Sequence, residues 1–377
     1  MKWSFKLGRF AGIDVYLHAT FLVFLAVVGG LEVLARGSVA AAFQSVLFFC
    51  AVFGCVLLHE YGHALTARRY GIRTRDITLL PIGGVARLER MPSRPIQELW
   101  VALAGPAVNV VIAAVLWIWL LFVGTAGVFQ GLDLARGPYA ERLLLINVLL
   151  VAFNLIPAFP MDGGRVLRAL LALRMDYARA TRIAAALGQA IALVFAFLGL
   201  RALFGGGGNP MLLFIALFVW VGAGQEAGAA QFRSELAGAR VRDAMLTSFS
   251  TLTPEDPLAR AVDLVMAGSQ QDFPVLQRGR VVGVLTRQRL LGALAQNGRW
   301  VPVGTSMDRE FALADADESL ELTLQGRAGP NLGPVPVLER GMLVGVLTWD
   351  NITDFLLIQS ALRRAPADVG LPPVLRA

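Results

Sequence analysis

Six apolar runs decide what this chain can become: Leu17–Ala35, Val39–Leu58, Leu99–Val123, Leu143–Phe159, Ile183–Phe204 and Met211–Gly224. A helix needs about 20 apolar residues to cross a bilayer, and fewer where neighbours cover its ends. The runs therefore predict a polytopic α-helical membrane domain of about six transmembrane helices, the fourth and sixth being the shortest. Composition agrees: 56% of the residues are hydrophobic and 16% charged, and the mean hydropathy is +0.61. Soluble domains carry about 25% charged residues. The basic start (Lys2, Lys6, Arg9) resembles a secretory leader, but no clean small-residue cleavage site follows and further runs do. It reads as the lead into an uncleaved first helix. Cys50 and Cys55 share one apolar run, so no disulfide framework is expected.

The net charge of +7 sits in loops. Seven arginines lie between Arg68 and Arg94, and five between Arg165 and Arg182. Positive loops mark the cytoplasmic side, which places both termini there; the cell membrane of a prokaryote is the expected location. No basic stripe with interleaved aromatics is present, so nucleic acid is not an expected partner. The expected partners are the lipid bilayer and a membrane-associated protein substrate.

One motif carries chemistry. His59-Glu60-Tyr61-Gly62-His63 closes the second run. Helical residues four apart share a face, so His59 and His63 can hold one ion between them. Imidazole suits Zn²⁺, and a catalytic site adds a third protein ligand and an open position. Glu60 stands where it can take a proton from water held at that position. Ionisable groups in an apolar run are expensive and mark function. The chain has three histidines, two of them here. A carboxylate in another apolar segment should supply the third ligand, and Asp162 in NLIPAFPMDGGR (Asn154–Arg165) is the candidate. The same stretch, with Pro157, Pro160, Gly163 and Gly164, also reads as a helix-ending turn, and both readings can hold. Asn154 and Asn109 are amides in apolar segments, suited either to interhelical bonding or to supporting substrate and the oxyanion. His18 reads as an interfacial residue or as one that touches the site from the side. Ile77–Leu88 mixes β-branched and apolar residues in a charged loop, which predicts short strands dipping toward the site.

HEYGH with NLIPAFPMDGGR resembles the site-2 protease family of intramembrane zinc metallopeptidases. AGPAVN at Ala104–Asn109 is similar to a further family element, and Pro81–Ala86 to the segment before it. The resemblance covers about 18–168. It implies zinc held by His59, His63 and Asp162, with Glu60 as catalytic acid/base. It also implies peptide-bond hydrolysis near the cytoplasmic face. No PDZ-like insert is evident.

From about Arg240 the runs shorten and a repeat appears. Pro274–Thr286 reads PVLQRGRVVGVLT and Pro336–Thr348 reads PVLERGMLVGVLT. Each copy predicts a strand, a polar turn, a second strand and a helix, a duplicated α+β unit. The pattern resembles a tandem CBS pair, and the combination is similar to the subgroup that includes sporulation-factor processing proteases. The expected division is a membrane zinc protease domain over 1–230, a linker over 231–240, and CBS copies over 241–298 and 299–362. A disordered tail over 363–377 completes it. The resemblance implies adenine nucleotide binding and a homodimer through the pair. Arg289 and Asn351, beside Asp350, occupy positions where the family carries a ribose-binding aspartate. That departure argues against tight nucleotide binding. Two rival readings remain, a CBS-gated transporter and an inactive relative that only binds membrane partners.

Overall fold

The computed structural model describes residues 3–90, 92, 94–123, 137–204, 209–268, 270–325 and 333–364, so the expected tail from 365 lies outside the described residues. The chain forms two compact units, Met1–Ala230 and Gln231–Ala377.

The first unit opens on a hairpin, β1 (Ser4–Phe10) and β2 (Ile13–His18), followed by helices α1 (Ala19–Arg36) and α2 (Val39–Arg69). The basic lead is thus a strand, and the first helix begins only at Ala19. The alternation of Trp3, Phe5 and Leu7 with Ser4 and Lys6 is the period of a strand. His18 ends β2 as the N-cap of α1, its Nδ1 accepting the Thr20 N–H at 3.3 Å. Gly37 closes α1 in the left-handed conformation (φ 65°), and Ser38 caps α2 through the Ala41 N–H. The strands expected over Ile77–Leu88 are present as β3 (Thr74–Leu80) and β4 (Gly83–Leu88). The sheet order is β1-β2-β3-β4, with β2 and β3 parallel because the α1–α2 pair is the crossover between them. Ile13 and Ile77 pack on Ala64, so the sheet lies against the last turns of α2.

Helices α3 (Pro95–Phe122), α4 (Tyr139–Asn154), α5 (Asp162–Ala172), α6 (Tyr177–Leu203) and α7 (Met211–Leu236) complete this unit and enter the next. Five described helices, α1, α2, α3, α6 and α7, are long and apolar enough to cross a membrane. The fourth apolar run differs from expectation. Its helix α4 has 16 residues and stops at Asn154. Pro157 and Pro160 follow, and residues 155–161 form turns that carry the chain into α5. Large apolar side chains are exposed along these helices, with Trp119 60% and Phe122 86% accessible. Such faces suit lipid rather than water.

The second unit contains α8 (Val241–Ala244), α9 (Leu258–Ala267), β5 (Phe273–Gln277), β6 (Arg280–Leu285), α10 (Arg287–Asn297), β7 (Ala314–Asp315), α11 (Leu320–Gln325), β8 (Val335–Glu339), β9 (Met342–Leu347) and α12 (Trp349–Arg364). The sequence repeat is a structural one. Phe273 pairs with Leu285 as Val335 does with Leu347, and both hairpins shift register at the same place, after Val275 and after Val337. Arg278 and Gly279 turn the first hairpin with φ of 51° and 77°, and Arg340 and Gly341 the second with 50° and 83°. Two positive φ values are what a two-residue hairpin loop requires. The lead-in segments are exchanged. Val241 and Ala244 lie in the core of Val335, Leu347 and Ile352, whereas Val303 lies in that of Phe273 and Leu285.

Candidate metal centre

α2 and α5 bring three side chains together. The Nε2 atoms of His59 and His63 are 3.1 Å apart, and Asp162 Oδ2 lies 3.1 Å from the first and 3.2 Å from the second. All three residues are buried. These are the described His, Cys, Asp or Glu residues that could share one ion.

The other ring nitrogens are committed. His63 Nδ1 donates to the Val101 carbonyl at 2.7 Å. Pro106 in α3 has no N–H for the Ala102 carbonyl, so the helix ladder is broken beside the turn that supplies this acceptor. His59 Nδ1 donates to Asn109 Oδ1 at 2.5 Å, and Asn109 Nδ2 donates to Asn147 Oδ1 at 2.8 Å. Asn147 in turn donates to the Leu143 carbonyl at 2.9 Å. With both Nδ1 atoms donating, both Nε2 atoms present lone pairs toward the carboxylate. Three converging electron-rich atoms call for a cation. A tetrahedral zinc with bonds of about 2.0–2.1 Å holds its ligands about 3.3–3.4 Å apart, so the observed triangle fits one face of that tetrahedron.

Glycines let α3 pass this close. A Cβ on Gly62, inside the HEYGH motif, would stand 2.6 Å from the Ala104 carbonyl oxygen. One on Gly105 would stand 2.2 Å from His63 Nε2 and 2.6 Å from His59 Nε2. The AGPAVN element is thus the surface against which the histidines seat: glycine for contact and asparagine for the His59 ring.

Glu60 is half-buried, and among the described residues no hydrogen bond or ion pair takes up its carboxylate. β4 runs against it. A Cβ on Gly84 would stand 2.6 Å from Glu60 Cγ and 3.2 Å from its Oε1. The strand anticipated near the site therefore touches the general-base candidate itself.

Asp162 opens α5, so its carboxylate lies at the positive end of a helix. Asn109, expected as a support for substrate or oxyanion, is committed to His59 and Asn147 at both ends of its amide. Asn154 is half-buried, and its Nδ2 donates to the Leu150 carbonyl at 3.0 Å. His18 is taken up in capping. Sequence reasoning missed Asn147, although an amide amid the apolar run of α4 was a usable signal. It also missed Glu98, Glu226 and the buried Arg168 that joins them.

The model of Peptidase family M50 matches residues 47–142 and 137–195, and the CBS domain model matches 241–296. A zinc metalloprotease of Methanocaldococcus jannaschii is 32% identical over 352 residues, covering 93% of this chain and 96% of the relative. Rip3 of Mycobacterium tuberculosis, also named as a zinc metalloprotease, is 32% identical over 367 residues, covering 92% and 91%. The solved site-2 protease from M. jannaschii is 40% identical, covers 60% of this chain and 95% of that one, and superposes with a TM-score of 0.44. Likeness to relatives over nearly the full length establishes that the chain belongs to Peptidase family M50, the site-2 protease family of zinc metalloproteases.

Proposed function

We propose that this enzyme hydrolyses peptide bonds of membrane-associated proteins near the cytoplasmic face of the bilayer, with His59, His63 and Asp162 holding zinc and Glu60 as acid/base. The observation that carries the reading is the convergence of those three ligand atoms with an uncommitted carboxylate one residue away. Zinc, when bound, supplies a Lewis acid that acidifies water and polarises the scissile carbonyl. Glu60 takes the proton of the attacking water and returns it to the leaving amine. Asn109 and the Val101 carbonyl keep the two imidazoles aimed. Asn154 has a second amide hydrogen to offer substrate. His59 lies about 30 Å along α2 from Val39, near the far side of an apolar layer about 30 Å thick. The arginine-rich loops adjoin that end, which supports cytoplasmic chemistry and cytoplasmic termini in a prokaryotic cell membrane.

Among the described residues β4 has one sheet neighbour, β3, and so offers an open edge beside Glu60. A substrate unwound from its helix can add there as a strand, which exposes its amides to the site. Val85→Pro, mid-strand in β4 opposite Thr78, disrupts the strand that forms that edge. It should lower cleavage at least about tenfold, the effect of losing about 1.4 kcal/mol of binding. Full activity in the variant excludes strand addition.

The CBS pair is assigned a regulatory part, through an adenine nucleotide or a homodimer. The second unit has a cavity of about 850 Å³ lined by Asp272, Thr286, Arg289 and Asp308, among others. Burial pushes the Asp272 carboxyl above its usual range, against the pull of the Arg287 N–H that it accepts. Arg289 reaches Asp308 at 2.6 Å instead of leaving a carboxylate free for ribose. Binding is therefore weak. Calorimetry of the full chain in detergent should show ATP heat only toward millimolar concentration, and none at all removes the nucleotide role.

The function itself is tested on detergent-purified protein by elemental analysis and by cleavage of a panel of single-span substrates. About one zinc per chain, with cleavage lost to a chelator and restored by zinc, is expected. Zinc-free protein that moves ions across liposomes selects the transporter instead.

A further inference from the structure

We propose that Arg168 is a positioning residue for the metal site: its buried ion pairs fix α5 against α3 and thereby aim Asp162 at the two histidines. Asp162 is the first residue of a helix of 11 residues that is entered from turns. Such a helix has little of its own to hold its axis. Arg168, six residues along, is 1% exposed. Its Nε donates to Glu98 Oε1 at 2.8 Å, and its Nη1 donates to Glu226 Oε2 at 2.7 Å. The guanidinium carbon lies 4.8 Å from the centre of the Phe159 ring and 5.0 Å from that of Tyr177. Arg165, on the same helix, is 3.8 Å from Glu226 Oε1. One side chain thus binds α3, α6, α7 and the turns before Asp162.

Stability alone is a poor reason for such a cluster. Burying ions is expensive, and well-packed apolar replacements are often neutral or better. What a guanidinium supplies is direction, because its planar fork accepts partners only in set positions. The position of Glu98 gives that direction a use. It lies one helical turn before Val101, whose carbonyl orients His63, and two turns before Gly105, against which both imidazoles seat. Locking α5 to α3 at Glu98 therefore sets the carboxylate ligand relative to the surface that aims the histidine ligands.

The inference rests on Asp162 being a metal ligand, and the test separates the two. Zinc release to a chelator is timed on the purified full chain, well below its Tm, beside helix content, kcat and KM. The variants are Arg168→Lys and the triple Arg168→Met, Glu98→Gln, Glu226→Gln, which removes the three paired ions together and leaves only the partly exposed Arg165 without its Glu226 contact. Asp162→Asn controls for the ligand. Leu144→Ala, a buried truncation between α3 and α4, controls for lost stability. Both Arg168 variants should stay helical, release zinc about 10–100-fold faster, and lose kcat with KM nearly unchanged. Leu144→Ala should release zinc at the original rate. Wild-type release from both Arg168 variants, or equal acceleration in Leu144→Ala, overturns the positioning role. Wild-type release from Asp162→Asn overturns the ligand assignment beneath it.

Discussion

Glu60→Gln leaves about one zinc per chain and lowers cleavage by about 10²–10⁴-fold, the usual contribution of a positioned acid/base. The substitution keeps shape and volume and removes only the capacity to take a proton. Zinc should stay because Glu60 is not among the three side chains that converge. Nor does the sheet lose its contact, since Gly84 packs on the Glu60 stem at Cγ, which glutamine retains. Elemental analysis and cleavage are read on the same preparation. Loss of zinc in this variant would make Glu60 part of the metal shell. Unchanged cleavage would move the acid/base role to another group.

Gly105→Ala should strip the metal and the activity together. The added methyl carbon would sit 2.2 Å from His63 Nε2 and 2.6 Å from His59 Nε2, where carbon and nitrogen need more than 3 Å. Either the rings swing out or α3 backs away. Backing away draws off Asn109 and the Val101 carbonyl, which orient those rings. Alanine is a better helix former than glycine by about 1 kcal/mol, so helix propensity does not account for a loss. Gly54→Ala is the matched control. It lies on α2, where an added Cβ meets nothing within 4 Å. Zinc content should drop to a small fraction in Gly105→Ala and stay at about one in Gly54→Ala.

The membrane domain was legible because bilayer thickness imposes long apolar runs, and the histidine pair because a spacing of four is one helical face. Asp162 lies 103 residues from His59, and no local pattern joins them; the need for a third carboxylate ligand in an apolar segment made it the candidate, and the resemblance strengthened it. α4 was drawn too long because apolar residues 155–159 continue its run into turns that Pro157 and Pro160 enforce. The β1–β2 hairpin was hidden by position, since a basic start before an apolar run reads as a helix lead. Asn109 stayed open between interhelical bonding and substrate support because an amide in an apolar helix shows its polarity but not its target. The hairpins of the second unit were legible as a repeat, whereas the exchange of Val241 and Val303 between the two cores was not. Such an exchange depends on which copies dock together, and both cores are built from the same residue types.

The account stands on His59, His63 and Asp162 sharing one zinc. X-ray absorption at the zinc edge, on purified protein with and without Asp162→Asn, tests it most directly. The predicted spectrum has two imidazole nitrogens and oxygen at about 2.0–2.2 Å, with no sulfur near 2.3 Å, and the oxygen shell changes in the variant. A sulfur shell, or a spectrum indifferent to Asp162, would contradict it.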